Sequence, residues 1–287
     1  MKKLFNLLLF IAMAITAMAQ PESMIGQELL HSPAQDSVLA RKLTYPAYIV
    51  KPRYVPTTVD VLSINNSLIY VNKQDSLFNN ICAERGKDGK WTMQTRLGRS
   101  LKQHWDEGDS INSKGKFTAK YMVRSHPWTH IVLQEQSRLP RINFEWFRLA
   151  VHLWVDYIRQ NCPNHDVQIL LTMNWGYNNA FDHYTEQNEV LYRNCLALAQ
   201  ECNITLVPVG LGNQDHFERG GAELANKLHN DECHPSWRGT YMASCMEYAV
   251  IFGDTPLNIG FDTPKLTHEA CEEVRQCVKR VLDKFVQ

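Results

Sequence analysis

The sequence feature that most constrains the fold is an alternation of short β-rich runs with longer amphipathic segments. Buried-strand patterns occur at residues 129–135 (THIVLQE), 166–175 (DVQILLTMNW) and 204–210 (ITLVPVG). Between them, residues 144–161 and 184–202 carry apolar side chains every three or four positions, which predicts helices. Strands that alternate with helices in this way favour a mostly parallel sheet with helices on both faces.

The alternation already begins near residue 58. Residues 58–64 (TVDVLSI) form a β-rich run, residues 73–84 have helical spacing, and residues 91–96 (WTMQTR) form a weaker strand pattern. Further helices are predicted at residues 100–108, at 221–229, after Pro235 and at 267–286. With right-handed crossovers, these elements predict an α/β fold over residues 58–287, namely a three-layer α/β/α sandwich around a mostly parallel five-stranded sheet.

Residues 1–19 have the pattern of a cleaved signal peptide. Two lysines precede a short apolar run, and Ala17–Ala19 fits a small-x-small cleavage site. The apolar run is shorter than the about 20 residues that a membrane-spanning helix needs. We therefore expect the mature protein to be periplasmic or secreted, without membrane contact, and residues 20–57 to form an N-terminal extension.

The composition excludes some classes of partner. The chain has 30 Lys and Arg against 30 Asp and Glu, without a basic run, which argues against a nucleic-acid partner. An oxidising compartment would permit disulfides among the eight cysteines, but their scattered spacing assigns no pairs. His229, Asp231, Cys233 and His234 lack the paired spacing of a zinc site, so neither a metal nor an organic cofactor is predicted.

Polar and small residues gather where the predicted strands end. Ser67 follows the first strand, Gly98 follows the second, and residues 210–216 (GLGNQDH) follow the fifth. Asp231 and His234 come later, just ahead of a buried helix. Because ligand sites in open α/β sheets form at the carboxyl ends of the strands, we expect these positions to lie close together.

Four sequence blocks, in this order, resemble the SGNH or GDSL-type serine hydrolases. They are INNSLIYVN around Ser67, RLGRSLKQHW around Gly98, VLQEQSRLP around Gln136, and DECHPS at Asp231 and His234. In that family a serine follows the first strand, a glycine the second and an asparagine the third, and an Asp-x-x-His motif lies near the C-terminus. LQEQS together with the DxxHPSxxGTY pattern is similar to an exported bacterial branch of the family. The resemblance implies a flavodoxin-like fold and cofactor-free hydrolysis of acyl esters.

The resemblance assigns Ser67, His234 and Asp231 to a catalytic triad, and the chemistry accounts for the residue types. A serine hydroxyl is a poor nucleophile unless a base removes its proton during attack. His234 can accept that proton because imidazole titrates near neutral pH. Asp231 would fix the tautomer of the ring and stabilise the imidazolium that forms.

The resemblance also implies an oxyanion hole with three donors. The backbone N–H groups of Ser67 and Gly98 are the first two candidates. The family asparagine is absent from the third block, so Gln136 is the favoured side-chain donor and Gln134 is the alternative. A strand would point both glutamines to the same face, so the sequence does not separate them.

The remaining candidates carry two interpretations each. Asn65-Asn66 stands where the family has Gly-Asp, which puts a side chain where a glycine with left-handed backbone is usual. Aromatic residues beside a cleft suit a sugar ring, but core packing is the competing interpretation, and it is the one favoured for Trp146 and Trp154. For Glu135, a solvated or salt-bridged position is favoured over the role of a second acid. The candidates for substrate contact are Asn66, Trp175, Tyr177, Trp237 and Arg138.

The leading hypothesis is an exported serine esterase that acts through an acyl-enzyme on a small-molecule or glycan ester, with O-acetyl groups on a glycan as the suggested target. A lipase or thioesterase that uses the same triad is the nearest alternative, because one fold serves many substrates. A catalytically inactive glycan-binding protein on the same scaffold is the alternative from another class.

Overall fold

A parallel sheet forms the centre of the protein. The computed structural model describes residues 57–284; the predicted signal peptide and residues 20–56 of the predicted extension lie outside the described residues. The strand order is β2-β1-β3-β4-β5, and each neighbouring pair is parallel. The strands are β1 (Thr58–Asn65), β2 (Asp88–Thr95), β3 (His130–Gln134), β4 (Gln168–Thr172) and β5 (Thr205–Val207).

Helices surround this sheet, so the predicted α/β/α sandwich is confirmed. Helix α9 packs on both α2 and α10, and helices α3, α4 and α6 pack on one another. The helices are α1 (Ser67–Tyr70), α2 (Gln74–Glu84), α3 (Leu101–Trp105), α4 (Ala119–Ser125), α5 (Leu139–Ile142), α6 (Phe144–Asn161), α7 (Tyr184–Cys202), α8 (Val209–Asn226), α9 (Trp237–Phe252) and α10 (His268–Asp283). Short 3₁₀ turns occur at Val71–Lys73, Asn178–His183 and Pro256–Asn258.

The strand order creates a switch point between β1 and β3. The chain first adds β2 on one side of β1 and then adds β3 on the other side. All five residues of β3 are buried, as expected for a strand covered on both faces. In sheets of this order, the crevice at the carboxyl ends of the two switch-point strands is where ligands bind.

Helix α6 begins at a capping residue, and one of its two tryptophans is not where the sequence predicted it. Asn143 caps it by accepting from Trp146 N at 3.1 Å, and Trp154 is fully buried and donates its Nε1–H to the Leu101 carbonyl at 2.9 Å. Trp146 is 40% exposed, so its predicted core position is wrong. At about 100° per residue, Trp146 lies about 80° around the helix from Trp154, at the margin of the buried stripe.

The segment after β5 is already helical from Val209, whereas the sequence predicted a helix only at residues 221–229. Its glycines serve close packing, because a Cβ on Gly210 would lie 2.1 Å from the Asn174 carbonyl oxygen. The backbone leaves helical geometry at Gly220 and Gly221, which explains why only the part after residue 220 has a helical pattern in the sequence. Helix α4 was not predicted at all.

Two further observations concern the expectations about compartment. All eight cysteines lie within the described residues and are free thiols, and Cys233 is the only one of them that is not buried. Within residues 57–284, no helix combines the length and the apolarity needed to cross a bilayer.

Candidate active site

Ser67 lies at the switch point of the sheet, as the first residue of α1 directly after β1. Asn66 caps this helix, because its side-chain oxygen accepts from Leu68 N at 3.1 Å. The Asn66 Nδ2 donates to the Arg99 carbonyl at 3.2 Å. Asn66 is only 2% exposed, and its two hydrogen bonds join the first two strand-end loops.

Asn65 does not adopt the left-handed backbone that its place in the sequence suggested. It is the last residue of β1, and it is not among the residues with positive φ. Its fully buried side chain donates to Ser63 Oγ at 2.6 Å and accepts from the Thr95 hydroxyl at 2.7 Å. The asparagine therefore replaces the family glycine without backbone strain, and it fastens β1 to β2.

In the structure His234 lies between Ser67 and Asp231, which is the order that a hydrolytic triad requires. The Ser67 hydroxyl lies 2.9 Å from His234 Nε2, and the His234 Nδ1–H donates to Asp231 Oδ2 at 2.8 Å. Asp231 Oδ1 also accepts from the backbone N–H groups of Cys233 and His234, at 3.0 and 2.8 Å. These contacts fix the carboxylate, and the carboxylate fixes the imidazole tautomer that leaves Nε2 free to accept a proton.

The surroundings of Asp231 and His234 shift the pKa of both side chains. Partial burial acts to raise the pKa of Asp231, but hydrogen bonds from the backbone N–H groups of His234 and Cys233 and from the imidazole outweigh it, so the pKa is lowered. The neighbouring Cys233 side chain and then Asp231 raise the pKa of His234 to about 9, against an opposing effect of burial. The base therefore becomes free at a higher pH than the neutral range expected from the sequence.

The loop that carries His234 is fastened from two sides. Trp175, after β4, donates its Nε1–H to the Cys233 carbonyl at 2.9 Å. Asn72, in the 3₁₀ turn after α1, donates its Nδ2 to the Pro235 carbonyl at 2.8 Å. Trp175 is only 7% exposed, and its indole N–H supports the loop.

Two backbone N–H groups are positioned for an oxyanion hole. In the part of the chain that the structure describes, neither the Ser67 N–H nor the Gly98 N–H has a hydrogen-bond acceptor. Gly98 is exposed in the turn after β2 with φ of 67°, a conformation that costs other residues about 1–2 kcal/mol. Both groups stand at carboxyl ends of strands that pair with each other.

The two glutamines of the third block have different environments. β3 ends at Gln134, so the alternation of a strand does not extend to Gln136. Gln134 is buried, and its Nε2 donates to Asn174 Oδ1 at 2.8 Å and to the Glu135 carbonyl. Its amide donors are therefore used within the protein. Gln136 is half-buried, its side-chain oxygen accepts from Arg138 N at 2.8 Å, and its Nε2 has no acceptor within residues 57–284.

Glu135 is buried and forms no salt bridge with another described residue, which corrects the favoured expectation for it. It is 1% exposed, and its Oε1 accepts from Leu101 N at 3.1 Å and from Gln136 N at 2.6 Å. Burial raises its pKa to about 7, against the effect of those two hydrogen bonds. The carboxyl group thereby connects the loop after β2 to the loop after β3, and both loops carry oxyanion candidates.

The other substrate candidates lie around the third block and the His234 loop. Tyr177 is 7% exposed, its hydroxyl lies 2.5 Å from Ser137 Oγ, and the guanidinium of Arg138 lies over its ring at 5.3 Å. Trp237 is half-buried, with Lys265 Nζ 5.6 Å from its ring centroid. Tyr177 is therefore buried and packs against the Arg138 guanidinium. Arg138 and Trp237 are the substrate candidates that keep accessible surface.

Sequence reasoning missed the supporting roles of four residues. Asn174, 1% exposed, donates its Nδ2 to the Glu135 carbonyl at 2.9 Å, so it holds the third block from β4. Asn72, Cys233 and Glu135 complete the set. Each is a polar or thiol residue within the quoted blocks or next to a strand end, but only the fold reveals the partner.

Two side-chain groups within residues 57–284 have the composition of metal ligands. One is Asp231, Cys233 and His234, at the candidate site. The other comprises a buried Asp215 with its neighbours His216 and Cys277. His229, which the sequence grouped with the first set, is separate because its Nε2 lies 2.9 Å from the Tyr184 hydroxyl.

Comparison with known proteins supports the fold. No family model matches the sequence, and no curated protein is detectably similar to it. A DUF4886 family protein from Bacteroides uniformis has a TM-score of 0.61 and 16% identity, over 78% of this chain and 95% of that one. A protein described as an SGNH hydrolase from Slackia heliotrinireducens has a TM-score of 0.53 and 17% identity, over 68% and 99%. An acetyl xylan esterase has a TM-score of 0.53 and 12% identity, over 67% and 98%. The chain therefore has the α/β fold of the SGNH hydrolases.

Proposed function

We propose that the protein is a serine esterase that hydrolyses acyl esters through an acyl-enzyme. The observation that carries the proposal is the position of His234 between Asp231 and Ser67, with Nδ1 at 2.8 Å from the carboxylate and Nε2 at 2.9 Å from the hydroxyl. A nucleophile, a base and an orienting acid within hydrogen-bond reach are the elements of a hydrolytic triad.

Acylation follows from these positions. Ser67 Oγ attacks the ester carbonyl carbon while its proton passes to His234 Nε2, and Asp231 stabilises the imidazolium. The carbonyl oxygen becomes an oxyanion that accepts from the N–H groups of Ser67 and Gly98, with the Gln136 amide as the third donor. Collapse breaks the bond to the alcohol oxygen, which leaves with the proton from His234 and creates acyl-Ser67.

Deacylation uses the same groups in reverse. A water molecule attacks the acyl carbon as His234 Nε2 takes its proton, and the oxyanion again binds the same donors. Collapse breaks the bond to Ser67 Oγ, and His234 returns the proton to it. The sum is one ester and one water converted to one acid and one alcohol, without a cofactor.

An O-acetylated glycan is the substrate class that we favour. The structural neighbour that acts on acetylated xylan supports a small acyl group, and an exported protein would meet such polymers. Arg138 and Trp237 offer a cation and an aromatic face beside the site, and both groups suit sugar hydroxyls and rings. Export through residues 1–19 is part of this proposal.

A lipase or thioesterase is the second candidate, because two large apolar side chains beside the site are exposed. Leu97, next to Gly98, is 65% exposed, and Tyr70, one turn after Ser67, is 53% exposed. Side chains of this kind would favour a longer acyl chain. An inactive binding protein, which Asn65 and the altered third block suggested, is the weaker proposal. Asn65 is accommodated without strain, and Gln136 of the third block keeps an amide donor without an acceptor among the described residues.

The test uses protein beginning at residue 20, with chromogenic esters of increasing acyl length and with acetylated xylan, and measures released acid. We expect hydrolysis of the acetate ester and of the polymer, and no hydrolysis above background by Ser67→Ala. A preference for acyl chains of eight carbons or more would instead favour the lipase alternative. An inactive but folded protein that binds xylan would refute the esterase.

A further inference from the structure

Cys233 stands apart from the other thiols. The other seven cysteines are buried, whereas Cys233 is partly accessible and lies beside the triad. Its Sγ is 3.8 Å from His234 Nδ1, and ligand atoms from Asp231, Cys233 and His234 all lie within 4.8 Å of one another. The hydrolytic cycle uses Asp231 and His234 but leaves this thiol without a part.

The distances fit a tetrahedral zinc ion. Zn–S of about 2.3 Å and Zn–N of about 2.05 Å at a tetrahedral angle separate the two ligand atoms by about 3.6 Å. The observed separation of Cys233 Sγ and His234 Nδ1 is 3.8 Å. The same geometry separates a carboxylate oxygen and a ring nitrogen by about 3.4 Å. Asp231 Oδ1 and Oδ2 lie 3.1 and 2.8 Å from Nδ1, so an ion needs only a displacement of about half an ångström.

The ligands are also held in advance. The backbone N–H groups of Cys233 and His234 fix the Asp231 carboxylate, and Trp175 fixes the Cys233 carbonyl. A thiolate, an imidazole and a carboxylate are the three ligand types that zinc takes in proteins, and a set of three leaves the fourth position for water.

We propose that Asp231, Cys233 and His234 form a binding site for a thiophilic divalent cation of the Zn²⁺ class, and that its occupation switches off the hydrolase. The switch rests on the function proposed above, whereas the binding site does not. This cation is an inhibitor taken up by the site, and it takes no part in hydrolysis.

The switch follows from the two ring nitrogens of one imidazole. In the free protein Nδ1 carries the proton and Nε2 faces Ser67. When the cation takes the Nδ1 lone pair, the neutral ring carries its proton on Nε2 instead. The Cys233 thiol loses its proton to solvent when its sulfur binds the ion. With Nε2 protonated, His234 no longer accepts the Ser67 proton, and Asp231 no longer orients the ring.

The second ligand group is a poorer site for a cation. Asp215 pairs with Arg280, whose Nη2 lies 2.6 Å from Oδ2. This guanidinium already neutralises the carboxylate and repels a second cation. Among residues 57–284, no guanidinium lies at hydrogen-bond distance from Asp231, whose ion-pair partner is His234.

Binding is tested without reference to catalysis by titrating Co²⁺ into Ser67→Ala. We expect one equivalent to produce a thiolate-to-cobalt charge-transfer band in the near ultraviolet, competed away by Zn²⁺. Cys233→Ser in the same background should lose the band. Cys202→Ser is the matched control, because Cys202 Sγ also approaches an imidazole, at 3.7 Å from His152 Nδ1. The carboxylate beside that imidazole, Glu201, is paired with Arg148, and the three ligand atoms do not come within 4.8 Å of one another among the described residues.

Inhibition is tested in the Ser67 protein with ester substrate, and each variant is compared with its own rate in EDTA. Zn²⁺ should lower kcat with KM unchanged, EDTA should restore the rate, and Cys233→Ser should need at least tenfold more Zn²⁺ for half-inhibition. A missing cobalt band, or inhibition equal in wild type and Cys233→Ser, would overturn the proposal. A band in a protein that hydrolyses no ester would keep the site but refute the proposed function and the switch.

Discussion

The buried carboxyl group of Glu135 leads to a prediction about the pH dependence of stability, and its magnitude can be worked out from the structure. It is 1% exposed, and its two neighbours, Leu101 N and Gln136 N, both donate to Oε1. Oε2 is buried without a hydrogen-bond partner among the described residues. Ionising this group in the folded state is therefore costly, and Glu135→Gln removes the titration while Oε1 remains an acceptor.

The sign follows from a folded-state pKa that is above the unfolded value. The folded protein holds the proton more tightly, so the stabilisation linked to protonation is complete below pH 4.5 and is lost as the pH rises through about 7. At about 1.36 kcal/mol per pH unit, the loss for Glu135 reaches about 3 kcal/mol at pH 8. For a domain of this size, that corresponds to about 6–12 °C in Tm.

The assay is urea unfolding of wild type and Glu135→Gln at intervals from pH 4.5 to 8. Other groups titrate in both proteins, so the quantity to follow is the difference in unfolding free energy between them. As the pH rises from 4.5 to 8, we expect the unfolding free energy of wild type to fall by about 3 kcal/mol relative to that of Glu135→Gln. Glu189→Gln, at an exposed position on α7, controls for the substitution itself. A difference that stays constant with pH would refute the reasoning.

Three further predictions concern catalysis by the proposed esterase. Gly98→Ala, at φ of 67°, should lower kcat with little change in KM, since it strains an oxyanion donor; equal kcat would contradict this. Gln136→Ala should lower kcat by about 10²-fold, and an unchanged kcat would remove Gln136 from the oxyanion hole. In EDTA, kcat/KM should rise with pH up to about 9, because the free base is His234 with a raised pKa; a plateau from pH 6.5 upwards would oppose it.

The strands and most of the helices that form the layers of the fold could be predicted, because each follows from a local pattern of apolar residues. Apolar spacing located all five strands, and four separated blocks identified the loops that meet at the switch point. Helix α8 was missed over residues 210–216, because its glycines and polar side chains are buried by neighbours far away in the sequence. Such packing has no local signature.

The candidate site was predictable in its three central side chains but not in the residues that support them. Ser67, Asp231 and His234 were predicted from the resemblance to the SGNH hydrolases, and the structure brings each to within hydrogen-bond distance of the next. The choice between the two glutamines depended on where β3 ends, which a pattern locates only to within a few residues. The burial of Glu135 depended on contacts between loops that are about 34 residues apart.

The central claim is that His234 activates Ser67, and covalent labelling with a fluorophosphonate tests it most directly. Mass spectrometry of the digested protein should find a single adduct on the peptide that contains Ser67. The labelling rate should fall by at least about 100-fold in His234→Ala, a variant whose folding is checked by circular dichroism. An adduct on another residue, or wild-type labelling of Ser67 in His234→Ala, would contradict the account.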